Sequence, residues 1–165
     1  MAKTTVHVKG LDGILETLKA LPPEIVSKGG GPVRAALRKG AVVFQQAYVQ
    51  ALQVIVAEPS PDGRPSESTG VLEKAAIVSR VKPRPGFKGE IYKLRVRRST
   101  KYPDGTTANK VGGILEFGDA RVPAKAPMRR SFDANKSAAL ETIVAEMQKR
   151  TQAAIKKATK RSKQL

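Results

Sequence analysis

The sequence has no cysteine, no tryptophan and a single histidine, His7. Without thiols there is no disulfide frame, thiolate zinc site or cysteine nucleophile. With one histidine, Ser-His or His-metal chemistry would have to run through His7. That residue lies in an alternating N-terminal segment and reads as a solvent-facing strand residue. Aromatic residues make up only 4% of the chain. Stacking platforms for single-stranded nucleic acid are therefore nearly absent, with Tyr92 and Tyr102 the only aromatics near the most basic span. No apolar run approaches the roughly 20 residues that cross a bilayer, and no charged-then-apolar leader opens the chain. The expectation is a chain with no membrane partner and no cofactor, made in a cytoplasm or built into a particle assembled there. Acids are scarce as well: 14 against 31 Lys and Arg, a net charge of +17. A surface so basic attracts nucleic acid, acidic protein or anionic lipid.

What is present is enough for one small domain. The 165 residues fit a single unit, and Leu, Ile, Val and Phe exceed the level of a disordered chain. Thr4–Val8 alternates and reads as a strand. Leu11, Ile14, Leu15, Leu18 and Leu21 follow at helical spacing until Pro22-Pro23 stops them. Gly29-Gly30-Gly31 reads as a hinge, and Pro32 suits the first turn of a helix. Val33, Leu37, Ala41, Phe44, Tyr48, Ala51 and Ile55 predict one apolar stripe on a helix reaching about Val56.

From Glu58 to Gly70 three prolines and two glycines forbid regular structure. Strand patterning follows over Val71–Val81, clearest at Ala76–Val81, and again over Gly89–Val96, clearest at Ile91–Val96. This predicts an antiparallel pair with a basic outward face that includes Arg80, Lys93, Arg95, Arg97 and Arg98. Pro103-Asp104-Gly105 signals a turn, and Val111–Phe117 is a small apolar island. After Pro127 a long helix is predicted, its stripe running from Phe132 through Ala139, Leu140, Ile143, Val144 and Met147 to Ile155. Beyond it the chain turns almost purely basic and polar, with Lys156, Lys157, Lys160 and Arg161, an end expected to fray without a partner. The expected fold is α+β: a small antiparallel sheet packed on two long helices, with long loops. Residues 1–155 form its one domain and 156–165 a basic tail.

The acids offer little chemistry. No Asp, Glu or His cluster has metal-ligand spacing, and neither glycine run has the Lys-Ser/Thr of a phosphate loop. Glu116 and Asp119 could together hold Mg²⁺ in a nuclease. The competing reading pairs Glu116 with an arginine and gives Asp119 a turn to shape, and two acids alone make poor Mg²⁺ geometry. The basic residues license sequence-neutral contact with DNA, or docking on an acidic protein, but no base reading. No helix-turn-helix or finger signature is present.

Gly113-Ile114-Leu115-Glu116-Phe117-Gly118, followed by Pro127-Met128-Arg129-Arg130-Ser131-Phe132, resembles the neck or tail-completion (head–tail joining) proteins of long-tailed bacteriophages. That family has Glu-Phe-Gly-Thr, a short extended stretch, then Pro-Phe with a basic residue opening a long C-terminal helix. Here Asp119 stands for the usual Thr and Met128 for the usual Phe. The Gly10-Leu11 entry, Leu21-Pro22 and the step at Thr69-Gly70-Val71-Leu72 also fit, so the resemblance covers roughly residues 8 to 155. It implies a non-enzymatic virion protein at the head–tail junction, in a homo-oligomeric and commonly hexameric ring. Its neighbours would be the head-connector or head-closure protein and the tail terminator or tail tube, with DNA passing through. It also implies that Glu116-Phe117-Gly118 shapes a tight turn, that Pro127 opens the helix, and that Phe117 and Phe132 are core anchors. Under it, Arg80, Lys93, Arg95, Arg97, Arg98, Arg129, Arg130, Lys156, Lys157, Lys160 and Arg161 are the candidate contacts to DNA or to acidic neighbours.

Overall fold

The computed structural model describes residues 31–58, 69–82 and 90–162. The expected N-terminal strand with His7, the Leu11–Leu21 helix and most of the Glu58–Gly70 loop lie outside those residues. Among the described residues the order is α1 (Gly31–Ala57), α2 (Val71–Ala75), β1 (Ala76–Val81), β2 (Ile91–Val96), α3 (Ala108–Phe117) and α4 (Pro127–Ser162). The fold is α+β, with a two-stranded antiparallel sheet and two long helices that pack on each other.

β1 and β2 have the bounds that alternation predicts, in a register that sets Ala76 opposite Val96 and Val81 opposite Ile91. Val71–Ala75, read above with the strand, is instead a helical turn. Gly70 enters it at φ 65°, and the spacing of Leu72 and Ala75 buries both in the core. The island at Val111–Phe117 belongs to α3, whose first turn is capped by the Thr107 hydroxyl accepting from the Lys110 N–H. α4 remains helical to Ser162, past the point where fraying was expected.

The core gathers Tyr48 and Leu52 of α1, Leu72 and Ala75 of α2, Ala76 and Val96 of the sheet, and Ala108 of α3. Tyr48 is 1% exposed, and burial, with the nearby Glu116 charge, pushes its hydroxyl up to about 12. α1 has an 18-residue window of mean hydropathy 1.3, long and apolar enough by length and composition to cross a bilayer. A helix packed within a fold has the same composition, and this one lies against α4 and both strands.

Of the predicted stripe on α1, Tyr48 is buried in the core, but toward the start of the helix the buried face lies one position away. Pro32, Ala36 and Gly40 are buried, while Leu37, Ala41 and Phe44 are only half-buried. Small residues four apart let the backbones of α1 and α4 approach. A Cβ on Gly40 would lie 2.4 Å from Ile143 Cγ1 and 3.2 Å from the Ala139 carbonyl. Overpacking costs about 1–3 kcal/mol, and alanine returns up to about 1 kcal/mol of helix propensity. Gly40→Ala is therefore expected to destabilise by about 1 kcal/mol, read as a lowered urea midpoint with an unchanged slope.

The same contact is fastened by charge. Glu146, buried on α4, accepts from Lys39 Nζ and Arg150 Nε at 2.7 Å each. The Lys39 hydrogen bond, then that of Arg150, holds its carboxyl at about 2, below the ordinary 4.5. Arg80, then Arg34, does the same for Glu90, also to about 2. A depressed carboxyl contributes stability above its unfolded value and loses it as pH falls through its folded value. The melting temperature should drop between pH 4.5 and pH 2. In Glu146→Gln part of that drop should vanish, with the variant less stable at neutral pH and matching the parent near pH 2. Melting curves taken across this range check it.

Candidate interaction surface

α4 begins without a cap of its own. Ala126 precedes it at φ 49°, with no side-chain acceptor to offer, and the first turn contains Arg129 and Arg130 and no acid. Free N–H groups and two cations at the positive end of a helix dipole are unfavourable. Glu116, at the end of α3, answers both. Its carboxylate accepts from the Met128 N–H at 2.8 Å, the Arg129 N–H at 3.1 Å and Arg129 Nε at 2.8 Å. Arg129 also donates to the Glu116 carbonyl at 2.6 Å and lies over the Phe117 ring, 5.3 Å from its centroid.

The chain between them folds tightly. Gly118 leaves α3 at φ 78°, ψ 174°, and Leu115 O accepts from the N–H of both Lys125 and Ala126. The Asp119 carboxylate accepts from the Arg121 and Val122 N–H groups and shapes the turn. Both acids weighed above as Mg²⁺ ligands are thus engaged in the loop's own hydrogen bonds. Among the described residues no group of three or more metal-ligating side chains occurs.

Phe117 and Phe132 are not core anchors. Phe117 is 75% exposed and Phe132 53% exposed, the latter stacked on Phe44 with ring centroids 4.8 Å apart. The buried face of α3 passes through Ala108, Gly112 and Glu116, which leaves Phe117 off it, and the buried face of α4 passes through Ser131 and Ala139 and leaves Phe132 off it. Both rings rim an open apolar groove of about 940 Å³. Leu37, Ala41 and Phe44 of α1 line it, with Met128 and Ile143 of α4 and the whole of β2. Phe117→Ser should change stability by less than about 1 kcal/mol, against the 3–5 kcal/mol of a truncated core aromatic, as thermal melts would show.

The basic candidates do not form one face. Arg80 sits opposite Tyr92 in the register, whereas Lys93 and Arg95 sit opposite Ser79 and Ile77 on the other face of the sheet. Arg80 is also held by Glu90, at 2.6 Å, together with Arg34. Lys93, Arg95, Arg97 and Arg98 are exposed, with no acid within ion-pair distance among the described residues. Arg129 is committed to Glu116, while Arg130 is exposed. Lys156, Lys157 and Lys160 are exposed on α4, about 40 Å along the helix from Arg129. Arg161 lies in its last turn. The strand cluster and the tail are therefore separate surfaces.

The spacing of the groove residues Leu37, Ala41 and Phe44 puts them in one apolar stripe with the buried Tyr48. The signal that separates them is the second stripe, Pro32-Ala36-Gly40, one position away and made of small residues. Compared with known proteins, the chain matches no family model, no curated protein and no solved structure.

Proposed function

We propose that this chain is a non-enzymatic structural protein of the bacteriophage neck. It forms a ring, commonly of six copies, that joins the head connector to the tail and lets DNA pass. What supports this reading is the fate of the residues that carry the resemblance. Glu116, Gly118 and Pro127 build a clasp at the root of the longest helix, and Phe117 and Phe132 are left at the rim of an apolar groove. A motif that builds an attachment surface suits a subunit whose burial is completed by neighbours. The neighbours are the head-closure protein on one side and the tail terminator or tail tube on the other, in a virion assembled in the host cytoplasm.

A second reading, a sequence-neutral DNA-binding protein, is favoured by one observation: four exposed cations at Lys93, Arg95, Arg97 and Arg98 with no acidic partner among the described residues. Phosphate contacts of this kind give affinity that falls steeply with salt, by about 0.9 in the log–log slope per phosphate neutralised. The discriminating experiment is a nuclease-treated pull-down of a tagged copy from phage-producing cells, with mass spectrometry of what co-purifies. Connector and tail-tube proteins support the neck reading. Loss of all partners on nucleic-acid digestion supports the DNA reading.

A further inference from the structure

The groove has a property that its apolar lining does not convey. Every residue from Glu90 to Val96 lines it, and none of β1 does. Side chains of a strand alternate between faces, so a cavity lined by seven consecutive residues runs along the strand's edge. The sheet has only two strands, and the groove follows the edge of β2 away from β1. The Arg97 N–H donates to the Ala75 carbonyl at 2.8 Å, which fixes the phase of the ladder. Ile91, Lys93 and Arg95 exchange hydrogen bonds with β1, and Tyr92 and Leu94 turn their N–H and C=O groups outward. Among the described residues nothing pairs with those outward groups. Val96 is buried, its side chain packed against Gly112 of α3, so the accessible stretch of this edge is Tyr92 and Leu94.

We propose that the outer edge of β2, at Tyr92 and Leu94, takes an added strand from a partner protein: an extended segment that alternates apolar and acidic residues. The backbone of such a segment meets the free donors and acceptors, and its side chains fall alternately on the two faces of the sheet. On the face of Tyr92 and Leu94 they enter the apolar groove beside Phe44. On the face of Lys93 and Arg95 they meet two exposed cations that have no acidic partner among the described residues. Of the acids lining the groove, Glu90 is held by Arg34 and Arg80, and Glu116 by Arg129. Only Asp133 lacks a cationic partner among the described residues. Charge complementarity selects the occupant: a second copy brings +17 against +17. Duplex DNA would satisfy Lys93 and Arg95 but supplies neither peptide groups for the edge nor apolar side chains for the groove. The inference stands on the strand edge and holds whether or not the chain is a neck subunit.

The test uses the full chain and a labelled, end-blocked octapeptide alternating valine and glutamate, followed by fluorescence anisotropy. Saturable binding is expected. N-methylation of the peptide on alternate residues in the phase that faces β2 should weaken it at least about tenfold, because two backbone hydrogen bonds are lost with no change to the protein. The surface double variant Lys93→Glu/Arg95→Glu should weaken the glutamate peptide and bind a valine–lysine peptide instead. Absence of binding overturns the proposal, as does binding indifferent to N-methylation in both phases. Hydrogen exchange on the protein alone adds a second readout. Protection of the Tyr92 and Leu94 amides that disappears when residues 1–9 are deleted overturns it in favour of the chain's own N-terminus. Protection that grows with protein concentration overturns it in favour of a second copy. Tight, salt-sensitive binding of a duplex oligonucleotide that displaces the glutamate peptide, with N-methylation in either phase having no effect, overturns it in favour of nucleic acid.

Discussion

Gly118→Ala should destabilise the fold by about 3 kcal/mol, a fall of roughly 6–12 °C in melting temperature for a chain of this size. Two costs combine. At φ 78°, ψ 174° the backbone sits in a region essentially reserved for glycine, at about 1–3 kcal/mol for any other residue. An added Cβ would also lie 2.9 Å from the Ala124 nitrogen and 3.0 Å from the Val122 carbonyl, both backbone atoms that cannot swing aside. Gly105 supplies the control. It too has a positive φ, 84°, but nothing lies within 4 Å of its would-be Cβ. Gly105→Ala should therefore cost about 1 kcal/mol, the strain alone. Equal losses in the two variants, measured by chemical denaturation, would contradict this account of the loop.

Glu116→Ala should cost about 3 kcal/mol. The carboxylate is buried and serves two helix N–H groups and one guanidinium. Its removal leaves those donors without acceptors at the positive end of a 36-residue helix. The figure lies at the lower end for a broken buried ion pair, since Arg129 is more than half exposed and can turn to water. Glu116→Gln keeps one acceptor oxygen and should lose about half as much. A further readout separates capping from mere packing. In Glu116→Ala the amides of Met128 and Arg129 should exchange with solvent far faster than those at the middle of α4. Uniform loss of protection along the helix would instead mean that Glu116 acts only through global stability.

Much of the architecture is legible in the chain because each element states its own period. Ala76–Val81 and Ile91–Val96 alternate, the turn between Val96 and α3 announces itself at Pro103-Asp104-Gly105, and Pro32 and Pro127 sit in the first turns of the two long helices. The clasp is less legible. A helix start is normally read from the residue before it, and here that residue is Ala126. The acceptor comes from Glu116 across a folded loop, a relation that spacing does not encode. The groove is hidden for a different reason. Hydrophobic spacing records which residues prefer burial, and Phe44, Phe117 and Phe132 satisfy it. Which apolar stripe meets the partner helix is decided by volume, and Ala36 and Gly40 win because they let two backbones approach. The spread of the basic residues over two faces follows from strand register, which fixes each side chain only once the pairing is known.

α4 sets the apolar groove and the basic end of the chain on one continuous helix. The groove and its aromatic rim lie at its root, and Lys156, Lys157 and Lys160 near its far end, about 40 Å away. A partner that spans this distance gains avidity, because once one end is engaged the other binds as an intramolecular event. A partner too short to span it gains none. The length of the helix is then a selectivity filter in itself. Each further turn of α4 between the two regions would add about 5.4 Å to the span that such a partner must bridge.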